Sequence, residues 1–324
     1  MSIQVTSVPE QTGLSSAARQ RVEFLDHLVS LVEQAPQAEG WLKALRDRAI
    51  SRSQSQHFPT TRDEEWRFTD LSELVPLRFE TLGNHPSAVN IEGVSQFALP
   101  EAVTRLVFVN GVYAPEFSTL AEFSNGITVS NLSALQAEQV DRLQSYLGKQ
   151  PGADELFTSL NTAGLTDAAV VLIPKNTELA APVHLLFVAT TRSTPALIQP
   201  RVLVVAEPNS AVTLVEQYEA IGQGQHFTNA VTEIWLAENA QVNHTRIQRD
   251  NQTAFHIGKT AVSQDRTSRY TCTAVSLGAK LSRHNLEVYQ TGEQTETTLN
   301  GLTMIGAEQL SDTHSTIALT KPYG

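Results

Sequence analysis

Residues 269–303 read RYTCTAVSLGAKLSRHNLEVYQTGEQTETTLNGLT, and they contain three consecutive β-prone segments separated by short polar turns. The first segment alternates in character, because Tyr270 and Cys272 fall on one face of an extended strand and Thr271 on the other. Alternation with a period of two indicates half-buried strands rather than helices. We therefore expect this part of the chain to be built from short strands.

Two series of such segments alternate from about residue 168 onwards. One series begins near Val212, Gln241, Arg269 and Thr295, with sequence separations of 29, 28 and 26; the other begins near Phe227, Ala254, Lys280 and Leu310, with sequence separations of 27, 26 and 30. Two strands for each step of this length are typical of a solenoid whose coils stack on one another. An antiparallel β-sandwich would also explain the alternation, but the nearly constant step favours the solenoid, since sandwich loops vary freely in length.

The first part of the chain has a different period. From Ser16 to about Glu33 the apolar residues recur at spacings of three and four, which predicts an amphipathic helix, and a second helical stretch follows Pro36. Residues 105–113, RLVFVNGVY, predict a strand that enters a tight hairpin at Asn110. The predicted organisation is a helical region at 1–80, a mixed α/β connecting region at 81–167 and a β-helix core at 168–324.

Composition excludes several classes of function. The net charge is −11 without a cluster of basic residues, which argues against nucleic acid and anionic membrane surfaces as partners. The single cysteine, Cys272, excludes an internal disulfide, a zinc finger and a self-contained cysteine-ligated iron–sulfur site. The sequence contains neither a phosphate-binding loop nor a G-x-S-x-G elbow. The apolar runs are about a third of the length that crosses a bilayer, so we expect a soluble protein of a reducing compartment.

Four histidines share the coil step. His226, His256, His284 and His314 have sequence separations of 30, 28 and 30, so we expect them near the same place on successive coils. As a functional hypothesis, this column of imidazoles binds a metal ion or relays protons. We favour the simpler interpretation, a ladder of side chains on the solvent face.

Other candidate residues have plain structural interpretations. We expect Cys272 to be a small packing residue that shares a face with Tyr270, and His184 to be structural. Arg246 and Arg249 could form an anion-binding patch, but a solvated strand face is the favoured interpretation. The acidic residues near Glu64 are poor candidates for acid–base catalysis, because we expect them to be solvated.

Residues 63–74 read DEEWRFTDLSEL, which we interpret as a capped helical turn with Trp66 as its anchor. This segment, with its Trp66-Arg67 pair, closely resembles a recurrent segment of the SufB/SufD family, the scaffold subunits of the machinery that assembles iron–sulfur clusters. Residues 157–182 and 278–303 resemble the same family. The resemblance implies a right-handed parallel β-helix, a fold that the repeat spacing also favours.

Within the family, the chain resembles the SufD type, because SufB-type chains carry several cysteines. The resemblance implies a non-catalytic scaffold subunit of a SufB–SufC–SufD complex, with ATP hydrolysis in SufC and with SufB bound through the β-helix edge. Homodimers could form when the chain is isolated. We expect no stably bound cofactor and assign no flavin site, and the iron–sulfur cluster would be present transiently in the complex. The expected location is the cytoplasm or a plastid-like reducing compartment.

Parts of the family pattern have no match here. No segment matches the family's C-terminal cluster-forming histidine or the C-terminal helical domain that binds SufC, so we expect the sequence to be a fragment, and no catalytic, cofactor or metal ligand is carried over. Two alternatives stay open. One is a SufB-type scaffold, and the other is a β-helix polysaccharide lyase or hydrolase, which needs carboxylates clustered with basic residues on an exposed strand face.

Overall fold

The N-terminal part of the chain folds into helices, as its apolar spacing predicts. The computed structural model describes residues 15–82, 91–123, 125–190, 194–306 and 308–321. In it α1 spans Ser16–Glu33 and α2 spans Gly40–Gln54. The hydroxyl of Ser15 caps α1 by accepting a hydrogen bond from the backbone N–H of Ala18 at 3.2 Å. The first fourteen residues of the predicted helical region lie outside the described residues.

Short elements connect this helical pair to the solenoid. The strands are β1 (Glu80–Thr81), β2 (Thr104–Val109), β3 (Val112–Tyr113) and β4 (Thr128–Asn131), the helices are α3 (Ile91–Ser95), α4 (Ala137–Leu143) and α5 (Leu156–Ala163), and 3-10 turns occur at Glu64–Trp66, Pro115–Phe117 and Leu132–Ala134. The predicted hairpin is confirmed, because β2 and β3 pair antiparallel. Its turn residues Asn110 and Gly111 have the positive φ values of 53° and 84° that such a turn requires.

The remaining strands form the β-helix. They are β5 (Ala169–Ile173), β6 (Glu178–Thr190), β7 (Ala196–Ile198), β8 (Arg201–Ala206), β9 (Ala211–Ile221), β10 (His226–Leu236), β11 (Gln241–Arg249), β12 (Phe255–Gln264), β13 (Arg269–Ser276), β14 (Leu281–Gln290), β15 (Glu296–Thr303) and β16 (Leu310–Leu319). One sheet, sheet A, has the order β16-β14-β12-β10-β8-β5-β4, with β7 also pairing with β10 and β1 pairing with β7; the other, sheet B, has the order β15-β13-β11-β9-β6-β2-β3. The chain alternates between the two sheets from β8 onwards, and strands on successive coils pair in parallel. The fold is therefore a mainly β structure with a parallel β-helix and a small helical part, as the sequence predicts.

The two faces of each strand have different environments. Inward-facing residues fill the lumen between the sheets, and its apolar part includes Leu185, Phe187, Val204 and Ile234. Phe187 stacks between Phe108 and Tyr218 at ring-centroid distances of 5.3 and 5.2 Å. The outer face of sheet B reaches solvent, since burial in β11 and β13 alternates residue by residue.

Asparagines form a ladder at one corner of the solenoid. Asn176, Asn209 and Asn239 adopt left-handed φ values of 56°, 57° and 56°, which Asn tolerates better than most residues. The side-chain amide of Asn239 donates to Asn209, and that of Asn209 donates to Asn176, each at 2.9 Å. Each corner therefore fixes the position of the next.

The helical region packs on the outer face of sheet A. A cluster of aromatic rings joins them, with Phe157 of α5 contacting Phe227 of β10 at 6.0 Å and Phe79 contacting the same ring at 5.8 Å between centroids. Phe24 of α1 and Phe255 of β12 belong to this buried cluster. Among the described residues, no helix is long and apolar enough to span a bilayer.

Candidate functional site

The histidines that share the coil step are not stacked in one column. Register pairs Phe227 with Phe255, Phe255 with Leu281 and Leu281 with Leu310, so the true coil steps along the sequence are 28, 26 and 29. The histidine separations of 30, 28 and 30 exceed these steps by two, two and one. Because side chains alternate with a period of two, the first two offsets keep the histidines on one face, whereas the third reverses the face.

This register corrects the favoured interpretation of a ladder on the solvent face. His226, His256 and His284 point into the lumen, each displaced two residues along the strand from the previous one, and each is at most 2% exposed. His314 lies opposite Asn285 on the outer face, and its Nε2 lies 2.6 Å from Glu65 Oε2. Among the described residues no group of three or more His, Cys, Asp or Glu side chains could hold a metal ion.

A buried carboxylate, Glu216 of β9, organises the charged part of the lumen. Its oxygens accept hydrogen bonds from the hydroxyls of Tyr218 and Thr232, both at 2.7 Å. His244 Nε2 lies 3.2 Å from Glu216 Oε2, and Arg246 Nε lies 3.8 Å from Oε1. The side chain of Glu216 is 2% exposed, so these contacts replace its hydration.

The pKa values of Glu216 and His244 move apart. Burial raises the pKa of Glu216, but His244 and Arg246 outweigh burial and lower the pKa to about 2. Burial lowers the pKa of His244, but its contacts with Cys272 and Glu216 outweigh burial and raise the pKa to about 9. Glu216 is therefore ionised and His244 protonated at neutral pH.

A second carboxylate, Asp250, joins two of the displaced histidines. Asp250 Oδ1 lies 2.8 Å from His226 Nε2, and Oδ2 lies 2.8 Å from His256 Nδ1. Arg246 lies 2.6 Å from His256 Nε2 and can only donate, so this nitrogen accepts and the proton of neutral His256 sits on Nδ1. Burial lowers the pKa of His256, which agrees with the neutral form.

The two clusters form one network through Arg246. Arg246 contacts Glu216 in one cluster and His256, which is bonded to Asp250, in the other. Burial raises the pKa of Asp250, but His256 and His226 outweigh burial and hold the pKa well below its usual value. The arrangement stabilises two carboxylates away from water and fixes one imidazole tautomer.

Other predicted residues occupy distinct positions. Cys272 is fully buried in the lumen on the face that it shares with Tyr270, as expected. The interpretation of Arg246 as a solvated residue is wrong, because parity places it in the lumen, whereas Arg249 is partly exposed and pairs with Glu219 at 2.7 Å. His184 lies on the outer face of sheet B and contacts Gln217 at 3.0 Å. Burial lowers its pKa to about 4.

The segment at 63–74 docks against the last described coils. The guanidinium of Arg283 lies 4.2 Å from the centroid of the Trp66 ring, and Phe157 lies 5.3 Å from that ring. Arg283 also forms an ion pair with Asp312, which accepts a hydrogen bond from the hydroxyl of Thr69. Trp66 is thus an anchor between the helical region and the solenoid, whereas Arg67 is exposed.

Sequence reasoning missed Glu216 and Asp250. Glu216 has the parity of the inward residues Leu214 and Tyr218, and this alternation could have indicated a buried acid. Asp250 lies just after β11, where the sequence carries no signal for a buried partner of histidines that are distant along the chain.

Comparison with known proteins adds a family to this geometry. Residues 187–324 match the family described as SUF system FeS cluster assembly, SufBD core domain, and residues 23–185 match the SufBD protein N-terminal region. The chain is 48% identical, over 83% of its length and 61% of the relative's, to an iron–sulfur cluster assembly SufBD family protein of Synechocystis.

More distant relatives cover nearly the whole chain. It is 27% identical to the chloroplastic protein ABCI7 of Arabidopsis thaliana, over 98% of the chain and 68% of the relative. It is 24% identical to the iron–sulfur cluster assembly protein SufD of Escherichia coli, over 90% of the chain and 64% of the relative. The chain thus spans roughly two thirds of the length of these relatives, and less than two thirds of the cyanobacterial one.

Proposed function

Because the chain belongs to the SufBD family of iron–sulfur cluster assembly proteins, we propose that it acts as a SufD-type scaffold subunit, without catalytic activity of its own, in a SufB–SufC–SufD complex. SufB would bind the β-helix edge, and SufC would bind a C-terminal region of the subunit. The iron–sulfur cluster is the cargo of the complex. One thiol cannot provide the cysteine ligands of a cluster, which supports a shared rather than a self-contained site.

We propose that SufB binds at the last described coil of the β-helix. A row of inward-facing core residues runs across sheet A through Ile234, Val262, Val288 and Ile317. The first three are fully buried, whereas Ile317 is 46% exposed and Leu319, two residues further along, is 64% exposed. Among the described residues no strand pairs with the outer edge of β16, so this core row has room for a further strand, which we propose SufB supplies.

Heterodimer formation tests the proposal. Ile317→Lys places a charge on the open core row, and we expect it to weaken capture of SufB at least about tenfold, as for a central interface residue. Thr316→Lys is the matched control, because Thr316 lies on the same strand with its side chain on the opposite, exposed face. Equal capture of SufB by both variants would contradict an interface at this edge.

Two further measurements separate the family roles. A SufD-type chain should capture SufB in a pull-down, whereas a SufB-type chain should capture SufD. The purified chain should hydrolyse no ATP, and hydrolysis that follows the chain through purification would contradict a non-catalytic role. We also propose the cytoplasm or a plastid-like compartment as the location, which the bacterial and chloroplastic relatives support.

A further inference from the structure

A pocket of about 320 Å³ opens beside Trp66, where the segment at 63–74 meets sheet A. We call it the Trp66 pocket, and its walls are of two kinds. Pro59, Trp66, Leu156 and Phe157 form an apolar wall. The volume lies at the lower end of the range for ligand pockets and is large enough for one long side chain.

The polar wall of the Trp66 pocket is acidic. Asp63, Glu64, Glu65 and Glu155 line it, and of the residues that the structure describes neither Lys nor Arg does. Three of these carboxylates already have partners, because Asp63 contacts His57, Glu65 contacts His314 and Glu155 contacts Lys259. Glu64 is exposed and has no ion-pair partner among the described residues. The wall therefore favours a positively charged group.

A nearly buried amide adds a hydrogen-bond donor to the wall of the pocket. Asn285 of β14 is 7% exposed and lines the pocket. Its Oδ1 accepts a hydrogen bond from Arg283 Nε at 2.8 Å, which places Nδ2 as the free donor. Nδ2 makes no other hydrogen bond among the described residues, so it is available as a donor on the pocket wall. The free donor fits a ligand that presents a carbonyl oxygen.

From these observations we infer that the Trp66 pocket binds an extended segment of a partner protein that presents a basic side chain next to an apolar one. The carboxylates would receive the cationic group, the aromatic wall the apolar side chain, and Asn285 Nδ2 a backbone carbonyl. This inference rests on the lining of the pocket and not on the proposed function; the pocket lies on the outer face of sheet A, where Glu65 contacts His314 of the last described strand.

Calorimetric titration with short blocked peptides tests the inference. We expect Ac-Gly-Arg-Leu-NH₂ to bind saturably with a Kd of about 1 mM or tighter, and to bind more tightly than Ac-Gly-Glu-Leu-NH₂. Its affinity should fall as salt rises from 50 to 500 mM, because exposed charges are screened at about that ionic strength. Butylguanidinium carries the same cation without a carbonyl and should bind more weakly than the arginine peptide. No saturable binding of the arginine peptide would overturn the inference, and equal or tighter binding of butylguanidinium would overturn the assignment to a peptide segment.

Two charge-neutralising variants locate the site. Glu64→Gln removes the unpaired carboxylate of the pocket. It should lower the affinity for the arginine peptide about threefold to fivefold, which is the effect of one exposed charge pair. Glu138→Gln makes the same change at an exposed residue of α4 outside the pocket and should leave the affinity unchanged. Both changes lie on the surface, so thermal melts should match those of the unmodified chain. Equal affinities in the two variants would overturn the assignment to the Trp66 pocket.

Discussion

Replacing Glu216 with Gln removes the carboxylate that holds the protonated imidazole of His244 inside the lumen. In the native chain the pKa of His244 is about 9, against an ordinary value of 6.5. A difference of this size corresponds to about 3 kcal/mol of stability. Because the pKa is raised on folding, this contribution is complete below pH 6.5 and is lost as the pH rises through 9.

The low pKa of Glu216 arises from the same attraction between Glu216 and His244, so its contribution to stability is not added to that of His244. The pH dependence is opposite to that of His244: the stability from Glu216 is present above pH 4.5 and is lost as the pH falls towards 2. In Glu216→Gln the contact of His244 with Cys272 remains, but burial is opposed by fewer contacts, so we expect the pKa of His244 to fall. We expect a loss of up to about 3 kcal/mol at pH 6.5, as for breaking a buried ion pair, and a smaller further loss between pH 6.5 and 9 than in the native chain.

Urea unfolding followed by far-UV circular dichroism, at intervals from pH 6 to 9.5, measures both effects. Glu219→Gln is the control, because Glu219 lies on the same strand with the opposite parity and pairs with partly exposed Arg249. Burial raises the pKa of Glu219, so neutralising it should cost less than about 1 kcal/mol. The reasoning is refuted if the two variants lose equal stability, or if Glu216→Gln keeps the native decline between pH 6.5 and 9.

Five other substitutions, two of them controls, test the close contacts of the fold. In Gly278→Ala the new Cβ would lie 2.1 Å from the carbonyl oxygen of residue 250, so we expect the free energy of unfolding in urea to fall by at least about 3 kcal/mol. Gly301→Ala is the control, because no atom lies within 4 Å of its new Cβ. It should change the free energy of unfolding by less than about 0.5 kcal/mol. Asn209→Ala should lower the free energy of unfolding by about 1–2 kcal/mol, because Ala disfavours a left-handed φ. Asn209→Gly should recover much of this stability. Equal losses of the two variants in a thermal melt would contradict this account. Arg283→Met should lower the free energy of unfolding by about 2–3 kcal/mol, because the ion pair with Asp312 is lost. It should also change the fluorescence spectrum of Trp66. An unchanged spectrum would show that stacking of the guanidinium on the indole does not position Trp66.

Regular features of the fold were predictable from the sequence. The strand alternation around Cys272 and the step between coils depend on local pattern, and the structure confirms the parallel solenoid that they indicate. Helix α1 follows from apolar residues at spacings of three and four together with the cap at Ser15.

The candidate site was less predictable, because it depends on register to the single residue. The histidine separations differ from the coil steps by only one or two residues, and an approximate period cannot resolve that difference. A one-residue offset is enough to place His314 outside while His284 lies inside. The partners of these side chains also come from strands that are distant in sequence, so composition gives no sign that Arg246 opposes two buried acids.

The contacts of the helical region with sheet A affect how the β-helix can unfold. A solenoid whose coils touch only their neighbours can lose coils one at a time from an exposed end. Here Asn161 of α5 donates hydrogen bonds to the carbonyls of Pro200 and Asn229, Glu155 pairs with Lys259 and Trp66 stacks on Arg283, so four successive coils share one helical support. Unfolding of the outermost of these coils therefore requires that the helical region detach as well. The four coils thus unfold as a single cooperative unit, although each of them touches only its neighbours within the solenoid.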